Sequence, residues 1–267
     1  NGQPTELLVP SDCLVRNEQF DELPGPGAGG SLVTITAIDL EAPDNPRSMC
    51  LNAHATGFYV SASALYVTGT TSFDMTLIHK VAFTDSGTQY RGSGVVSGYL
   101  GTRNPAYLMS EQDGDLRVFS SRWGDGMSLP AHLLDPPPPG YVVDPSSYDR
   151  HRLTILRESA DGTRLQQVSR LPNTNRPQPI GKPREDIYAA RFLGDRAYVV
   201  TFEVIDPLYV LDLSIPDDPR ITGELEIPGF STVLQPLGDT LLLGIGQEVP
   251  DDGQGITQGV KLALFDV

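Results

Sequence analysis

Asp39-Leu40-Glu41-Ala42-Pro43-Asp44-Asn45-Pro46-Arg47 and Asp212-Leu213-Ser214-Ile215-Pro216-Asp217-Asp218-Pro219-Arg220 are identical at six of nine positions, and a seventh sets Asn45 against Asp218. The copies follow the alternating runs Val33 to Leu40 and Leu208 to Leu213, and each leads into a return run, so the motif reads as a turn between two strands. The Asp ends the first strand by bonding backbone just ahead of it. The two prolines preset the turn and cannot donate to a ladder, and the Arg opens the return strand. Two more hairpins of this kind run from Leu77 to Phe83 into Gln89 to Gly94, and from Leu153 to Arg157 into Leu165 to Arg170.

A second kind of hairpin, with a tighter polar turn, alternates with the first. Phe58 to Val60 meets Ala64 to Thr68 over Ser61-Ala62-Ser63, and Ala106 to Met109 meets Leu116 to Ser120 over Gln112-Asp113-Gly114. Tyr188 to Phe192 meets Ala197 to Thr201 over Leu193-Gly194-Asp195, and Thr232 to Gln235 meets Thr240 to Ile245 over Leu237-Gly238-Asp239, the same tripeptide 44 residues on. Up-and-down units of four strands at this spacing predict an all-β chain, a β-propeller of four-stranded antiparallel blades. Complete blades are expected over 56–98, 104–172 and 187–228. Residues 31–53 supply the last two strands of an earlier blade, with Glu6 to Val9 as a candidate second strand, and 231–267 supply the first three strands of a later one. That is about four to five blades' worth with both end blades incomplete, so the chain reads as a fragment of a larger propeller, with residues 1–30 as an N-terminal segment packing on it. A β-sandwich is the alternative fold, but it leaves the alternation of two hairpin types unexplained.

Composition agrees. Gly 27 and Pro 23 interrupt the chain so often that the longest stretch free of both is Thr70 to Ser86, which carries Asp74, His79, Lys80 and Asp85. A membrane-spanning helix of about 20 apolar residues is thereby excluded. Nineteen basic against 34 acidic side chains leave a net charge of −15, which opposes binding to nucleic acid or anionic lipid, since both need a basic stripe. Cys13 and Cys50 are the only cysteines; they form no CxxC pair and lie near no histidine at metal-ligand spacing. Because they flank the run Ser31 to Leu40, a bridge between them would pin the N-terminal segment to the first hairpin. Two separately buried thiols are the alternative. Residues 1–6 lack the basic and apolar regions of a signal peptide, so the chain reads as a mature or excised piece.

Tyr90-Arg91-Gly92-Ser93-Gly94, Tyr107-Leu108-Met109-Ser110-Glu111 and, most specifically, the run from Tyr188 through Gly246 resemble the secreted bacterial and archaeal β-propeller domain family, a distant relative of WD40 repeats. The resemblance covers most of 31–267 and is weakest in 121–151 and 173–186. It implies a propeller and export from the cytoplasm to a secreted, periplasmic or cell-surface location, where a Cys13–Cys50 disulfide would persist. Family members are usually much longer than this chain, which agrees with a fragment, and the resemblance carries no established activity.

Motifs for catalysis are missing: there is no Gly-x-Ser-x-Gly elbow, HExxH helix, P-loop or GxGxxG turn. Ser159-Ala160-Asp161-Gly162-Thr163 lacks the spacing of a sialidase-type Asp box and reads as a hairpin turn, and the single Trp123 lacks the recurring tryptophans of quinoprotein propellers. His54, His79, His132 and His151 show no ligand spacing. Asp113-Gly114-Asp115 and Asp251-Asp252-Gly253 offer oxygen ligands to calcium, but neither has the ladder of a calcium loop, so solvated turns and no cofactor are expected.

Loop length says more about function. The second-to-third-strand connections and the connections between blades share one face, and that face carries the long interruptions 121–151 and 172–186 together with 246–259. Candidate binding residues on it are Trp123, His132, Tyr141, Tyr148, Arg176, Lys182, Asp251 and Asp252. The expected function is a binding or scaffold module whose partner is a protein, a glycan or an envelope component, or the remainder of its own propeller. A hydrolase or lyase with polar groups converging from separate blades is the alternative.

Overall fold

The computed structural model describes residues 31–70, 75–85, 87–100, 105–122, 150–182, 185–202, 206–227, 229–238, 240–248 and 259–267. Among these, β1 (Leu32–Ala37) and β2 (Arg47–Asn52) form a two-stranded sheet. Three four-stranded sheets follow in chain order: β3 (Gly57–Val60), β4 (Ala64–Thr70), β5 (Met75–Thr84), β6 (Gly87–Ser97); β7 (Met109–Gln112), β8 (Asp115–Ser121), β9 (His151–Glu158), β10 (Leu165–Leu171); and β11 (Asp186–Leu193), β12 (Arg196–Phe202), β13 (Asp206–Asp212), β14 (Arg220–Ile227). A three-stranded sheet of β15 (Phe230–Leu237), β16 (Leu241–Glu248) and β17 (Gly259–Asp266) ends the described chain. In every sheet neighbouring strands are neighbours in sequence, so the topology is a plain meander, and the fold is a β-propeller. One strand starts later than the sequence suggests. Pro105–Leu108 forms a 3-10 turn, because proline fixes φ and has no N–H for a ladder, and pairing begins at Met109.

The Pro-rich motif turns as expected in both copies. Asp39 Oδ1 accepts the Glu41 N–H at 2.9 Å, and Asp212 Oδ1 accepts the Ser214 N–H at 3.0 Å. Asp212 also receives the Ser214 hydroxyl at 2.7 Å and the Arg220 guanidinium at 2.7 and 3.0 Å. Those bonds, with Ser214 foremost, hold its carboxyl well below the usual range. Asp161 does the same work in the β9–β10 turn, accepting the Ser159 hydroxyl at 2.6 Å and the Thr163 hydroxyl at 2.8 Å.

Two compact units divide the chain. In the unit drawn from residues 1–97 and 157–166, alternate residues of β1 and β2 (Val33, Ile35, Met49, Leu51) pack against Leu65, Val81 and Tyr90. Beside this core Glu158 accepts Arg91 at 2.8 and 2.5 Å, and its other oxygen lies 3.3 Å from the buried Lys80 ammonium. Gly92 sits at φ 98° with its backbone against Thr163, where a Cβ would fall 2.1 Å from the Thr163 carbonyl oxygen.

In the unit drawn from 98–156 and 167–267, Ala189, Tyr198, Val200 and Leu208 pack against Leu234, Leu242 and Phe265, sheet face on sheet face. On the other side of β11–β14, Phe192 packs at a tilt against Phe119 with ring centroids 5.2 Å apart, and the Arg117 guanidinium lies 5.0 Å over the Phe192 ring. Arg117 also donates to the Gly194 carbonyl at 2.7 Å, so the Leu-Gly-Asp turn is gripped by the preceding sheet.

These environments separate two glycine substitutions. Gly92→Ala combines a left-handed φ with a backbone clash and is expected to cost about 3 kcal/mol or more, whereas Gly114→Ala, at φ 86° with open space around it, costs about 1 kcal/mol. Urea unfolding of both variants checks this, and equal losses would show that the Thr163 contact does not constrain the fold.

Candidate functional site

The long connections that the sequence singles out begin and end on ordered strands. Arg122 N–H donates to the Arg150 carbonyl at 2.8 Å, closing the neck of the 123–149 segment. Immediately beside that neck lies His151, wholly buried at the start of β9. Its Nε2 is 2.8 Å from the Glu185 carbonyl, which can only accept, so Nε2 carries the proton and Nδ1 accepts the Ser121 hydroxyl at 2.8 Å. The Glu185 carboxylate in turn accepts the Thr201 hydroxyl at 2.6 Å and the Lys182 backbone N–H at 2.7 Å. Gly181, at φ 85°, makes room: a Cβ there would lie 3.1 Å from the His151 ring. Arg150 pairs with Asp186 at 2.5 Å on the outside of this knot. The base of one long loop and the end of the other are therefore tied together by buried and half-buried bonds.

The other end of the connection is held by Arg176. Asn173 shapes a tight turn, its side chain accepting the N–H groups of Asn175 and Arg176 at 2.9 and 3.0 Å and donating to the Arg170 carbonyl at 2.7 Å. From this turn the Arg176 guanidinium forks onto both oxygens of Asp218 at 2.6 and 2.5 Å. The pair is mutually stabilising, raising the Arg176 pKa and lowering that of Asp218. Asp218 belongs to the Pro-rich turn of the next sheet, so Arg176 bridges the connection to that turn. Between them opens a shallow depression of about 410 Å³, with Leu171, Pro177 and Ile221 as apolar lining and Asn175, Arg176, Gln178 and Arg220 as polar lining. Its described lining residues offer contact area and hydrogen-bond donors.

Of the residues selected from sequence, Arg176 lines this depression and Lys182, exposed, contributes its backbone N–H to the Glu185 knot. Trp123, His132, Tyr141, Tyr148, Asp251, Asp252 and Cys13 lie outside the described residues, and Cys50 is buried on β2. Among the described residues no group of three or more His, Cys, Asp or Glu is placed to hold a metal ion. Sequence reasoning missed the Ser121–His151–Glu185–Thr201 network. Its one local sign is Gly181, four residues ahead of Glu185.

The matched family model is described as a beta propeller domain and spans residues 14–267; the chain belongs to this family. Uncharacterized proteins of Methanocaldococcus jannaschii and Archaeoglobus fulgidus are each 49% identical over 83 residues, which is 31% of this chain and 12% of theirs. The chain thus matches only a small part of the length of these relatives. A crystal structure of a protein from Lactobacillus plantarum aligns over 85% of this chain and 90% of its own at 11% identity, with a TM-score of 0.31.

Burial pushes the His151 pKa down to about 4, against smaller opposing contributions from the Glu185 carbonyl and Asp186. Unfolded, the imidazole takes up its proton near 6.5. The stability held in the neutral knot is therefore complete above pH 6.5 and is lost as the pH falls toward 4, by about 3 kcal/mol at 1.36 kcal/mol per unit. His79, buried and 3.0 Å from the Tyr90 hydroxyl, titrates in the same window, its pKa also lowered to about 4. Urea unfolding across pH 4 to 7 should show stability rising with pH, with a shallower slope in His151→Gln. An unchanged slope in that variant would remove His151 from the account.

Proposed function

We propose that this chain is a binding module of a secreted or cell-surface protein, engaging a protein, a glycan or an envelope component through the side on which 121–151 and 172–186 emerge. The observation that carries this reading is the buried knot at His151, which fixes the roots of both loops in one place on a rigid sheet scaffold. Loops rooted in this way can vary in sequence without disturbing the core, which is how binding surfaces are commonly built. The neighbouring depression, lined by both apolar and donor-bearing side chains, adds a preformed contact surface. Trp123, Tyr141 and Tyr148 supply the residue types that dominate hot spots, because they bring large contact area at low entropic cost.

Glycan arrays and co-sedimentation with isolated cell-wall polymer or surface-layer protein provide the ligand screen. Replacing Trp123, Tyr141 and Tyr148 together with Ala should then weaken binding by about 2–4 kcal/mol with the β-sheet circular dichroism unchanged. A footprint confined to the tight turns at 61–63, 112–114, 193–195 and 237–239 would place the binding surface on the opposite side of the sheets.

The extracellular reading also calls for a Cys13–Cys50 disulfide. Cys50 is buried on β2, with the Thr34 hydroxyl 3.8 Å from its sulfur, so a bridge would anchor the N-terminal segment to the core edge. Mass spectrometry of a non-reduced digest should recover the linked peptide pair. Recovery of two alkylated thiols would count against both the bridge and the oxidising compartment.

A further inference from the structure

Asp113-Gly114-Asp115 and Ser159-Ala160-Asp161-Gly162-Thr163 each set an Asp-Gly step in a hairpin turn, and the two turns differ at both of the groups that can react. In the first, Gln112 pairs with Asp115 across a two-residue loop in which Asp113 and Gly114 both take left-handed φ, 53° and 86°. Asp113 is exposed, and among the described residues its carboxylate has no hydrogen-bond or ion-pair partner. The Gly114 N–H likewise makes no backbone hydrogen bond among them, and beyond its chain neighbours nothing lies within 4 Å of where a Cβ would stand. In the second turn, Asp161 Oδ1 accepts the Ser159 hydroxyl at 2.6 Å, the Thr163 hydroxyl at 2.8 Å and the Thr163 N–H at 3.1 Å. The Gly162 N–H donates to the Ser159 carbonyl at 2.8 Å, and the Arg91 guanidinium covers this glycine, 3.2 Å from the place of a Cβ.

We propose that Asp113-Gly114 is a modification site, at which the folded protein converts aspartate to isoaspartate, and that the bonds in the Asp161 turn keep its Asp-Gly step from doing the same. The reaction needs only the chain and water. The Gly114 nitrogen, giving up its proton, attacks Cγ of the neutral Asp113 carboxyl. The N–Cγ bond forms as the Cγ–OH bond breaks, and the hydroxyl leaves as water. Water then opens the resulting succinimide at either carbonyl. Opening at Cγ restores aspartate, and opening at the α-carbonyl leaves the main chain running through Cβ and Cγ with the α-carboxylate free. No oxidant, reductant or cofactor enters, and mass and net charge end unchanged.

Both requirements of this chemistry are met at 113 and opposed at 161. The nucleophile at Gly114 is held by no other acceptor among the described residues, whereas the Gly162 N–H must first leave Ser159. The carboxyl must be neutral to release its hydroxyl, and the bonds from Ser159 and then Thr163 lower the Asp161 pKa and hold it as the carboxylate. Glycine follows the aspartate in both steps, so neither nitrogen is shielded by a side chain of its own. The surroundings therefore distinguish them. The product also matters to the sheets. A longer main-chain path between Gln112 and Asp115 disturbs a pairing that has no spare residue, and the Gln112 amide is the group that donates to Asp195 of the next sheet at 2.6 Å.

The test holds the folded protein at neutral pH for weeks and follows isoaspartate by methyltransferase labelling and by electron-transfer dissociation of the separated peptides. Peptide mapping also separates the Asp-Gly steps at 125–126 and 252–253, which lie outside the described residues. Isoaspartate at 113 should accumulate roughly tenfold faster than at 161, and the two rates should converge in urea, where the bonds around Asp161 are gone. Equal rates in the folded protein, a faster rate at 161, or a difference that persists in urea would overturn the proposal. Ser159→Ala, which takes a hydroxyl from Asp161 Oδ1, should raise the rate at 161 and leave that at 113 as it was. A rate at 161 that does not move in this variant would overturn the protective role given to those bonds.

Discussion

Alternate residues of a strand point to opposite faces, and in β11–β14 and β15–β17 both faces are apolar. That constraint organises the rest of the structure, because a sheet of this kind is stable only when something covers each side. The covering is direct where β11–β14 meets β15–β17, with Tyr198, Val200 and Leu208 on one side and Leu234, Leu242 and Phe265 on the other. Each such side chain removed from water contributes about 1.5–3 kcal/mol, more than any surface ion pair in the molecule can supply. The hairpin turns need only reverse the chain. Asp39, Asp161 and Asp212 do so by accepting bonds from residues two positions on, without help from distant parts of the chain.

Features whose causes are local were legible in the sequence. The Pro-rich motif, the Leu-Gly-Asp turns and the period-two runs specify hairpins through residues within a few positions of one another, and the four-stranded sheets follow from their alternation. The exception is itself local: Ala106 to Leu108 alternate like a strand, but Pro105 ahead of them sets a 3-10 turn instead. The candidate site was only partly legible because its determinants are far apart in sequence. Arg176 reads as a basic residue in an irregular loop, and its engagement by Asp218, 42 residues later, depends on how one sheet stands beside the next. His151 likewise reads as an isolated histidine, since neither Ser121 nor Glu185 lies within 25 residues of it.

The ion pairs refine what the net charge of −15 means. Lys80, Arg91, Arg150, Arg176 and Arg220 each lie against a carboxylate, so several of the 19 basic side chains already act as internal ties. The charge of these groups is therefore largely compensated within the protein. What a guanidinium paired in this way keeps is its planar face.

Two kinds of surface thus emerge from one repeat, and they differ in how they can change. The apolar faces are built by the period of the strands, so each residue buried between two sheets is constrained by the sheet opposite, and a polar substitution there loses burial on both partners at once. At the roots of the connections the ties are of another kind. At His151 the fixing is done by neutral hydrogen bonds inside the protein, which cost little desolvation because donors and acceptors are matched one to one.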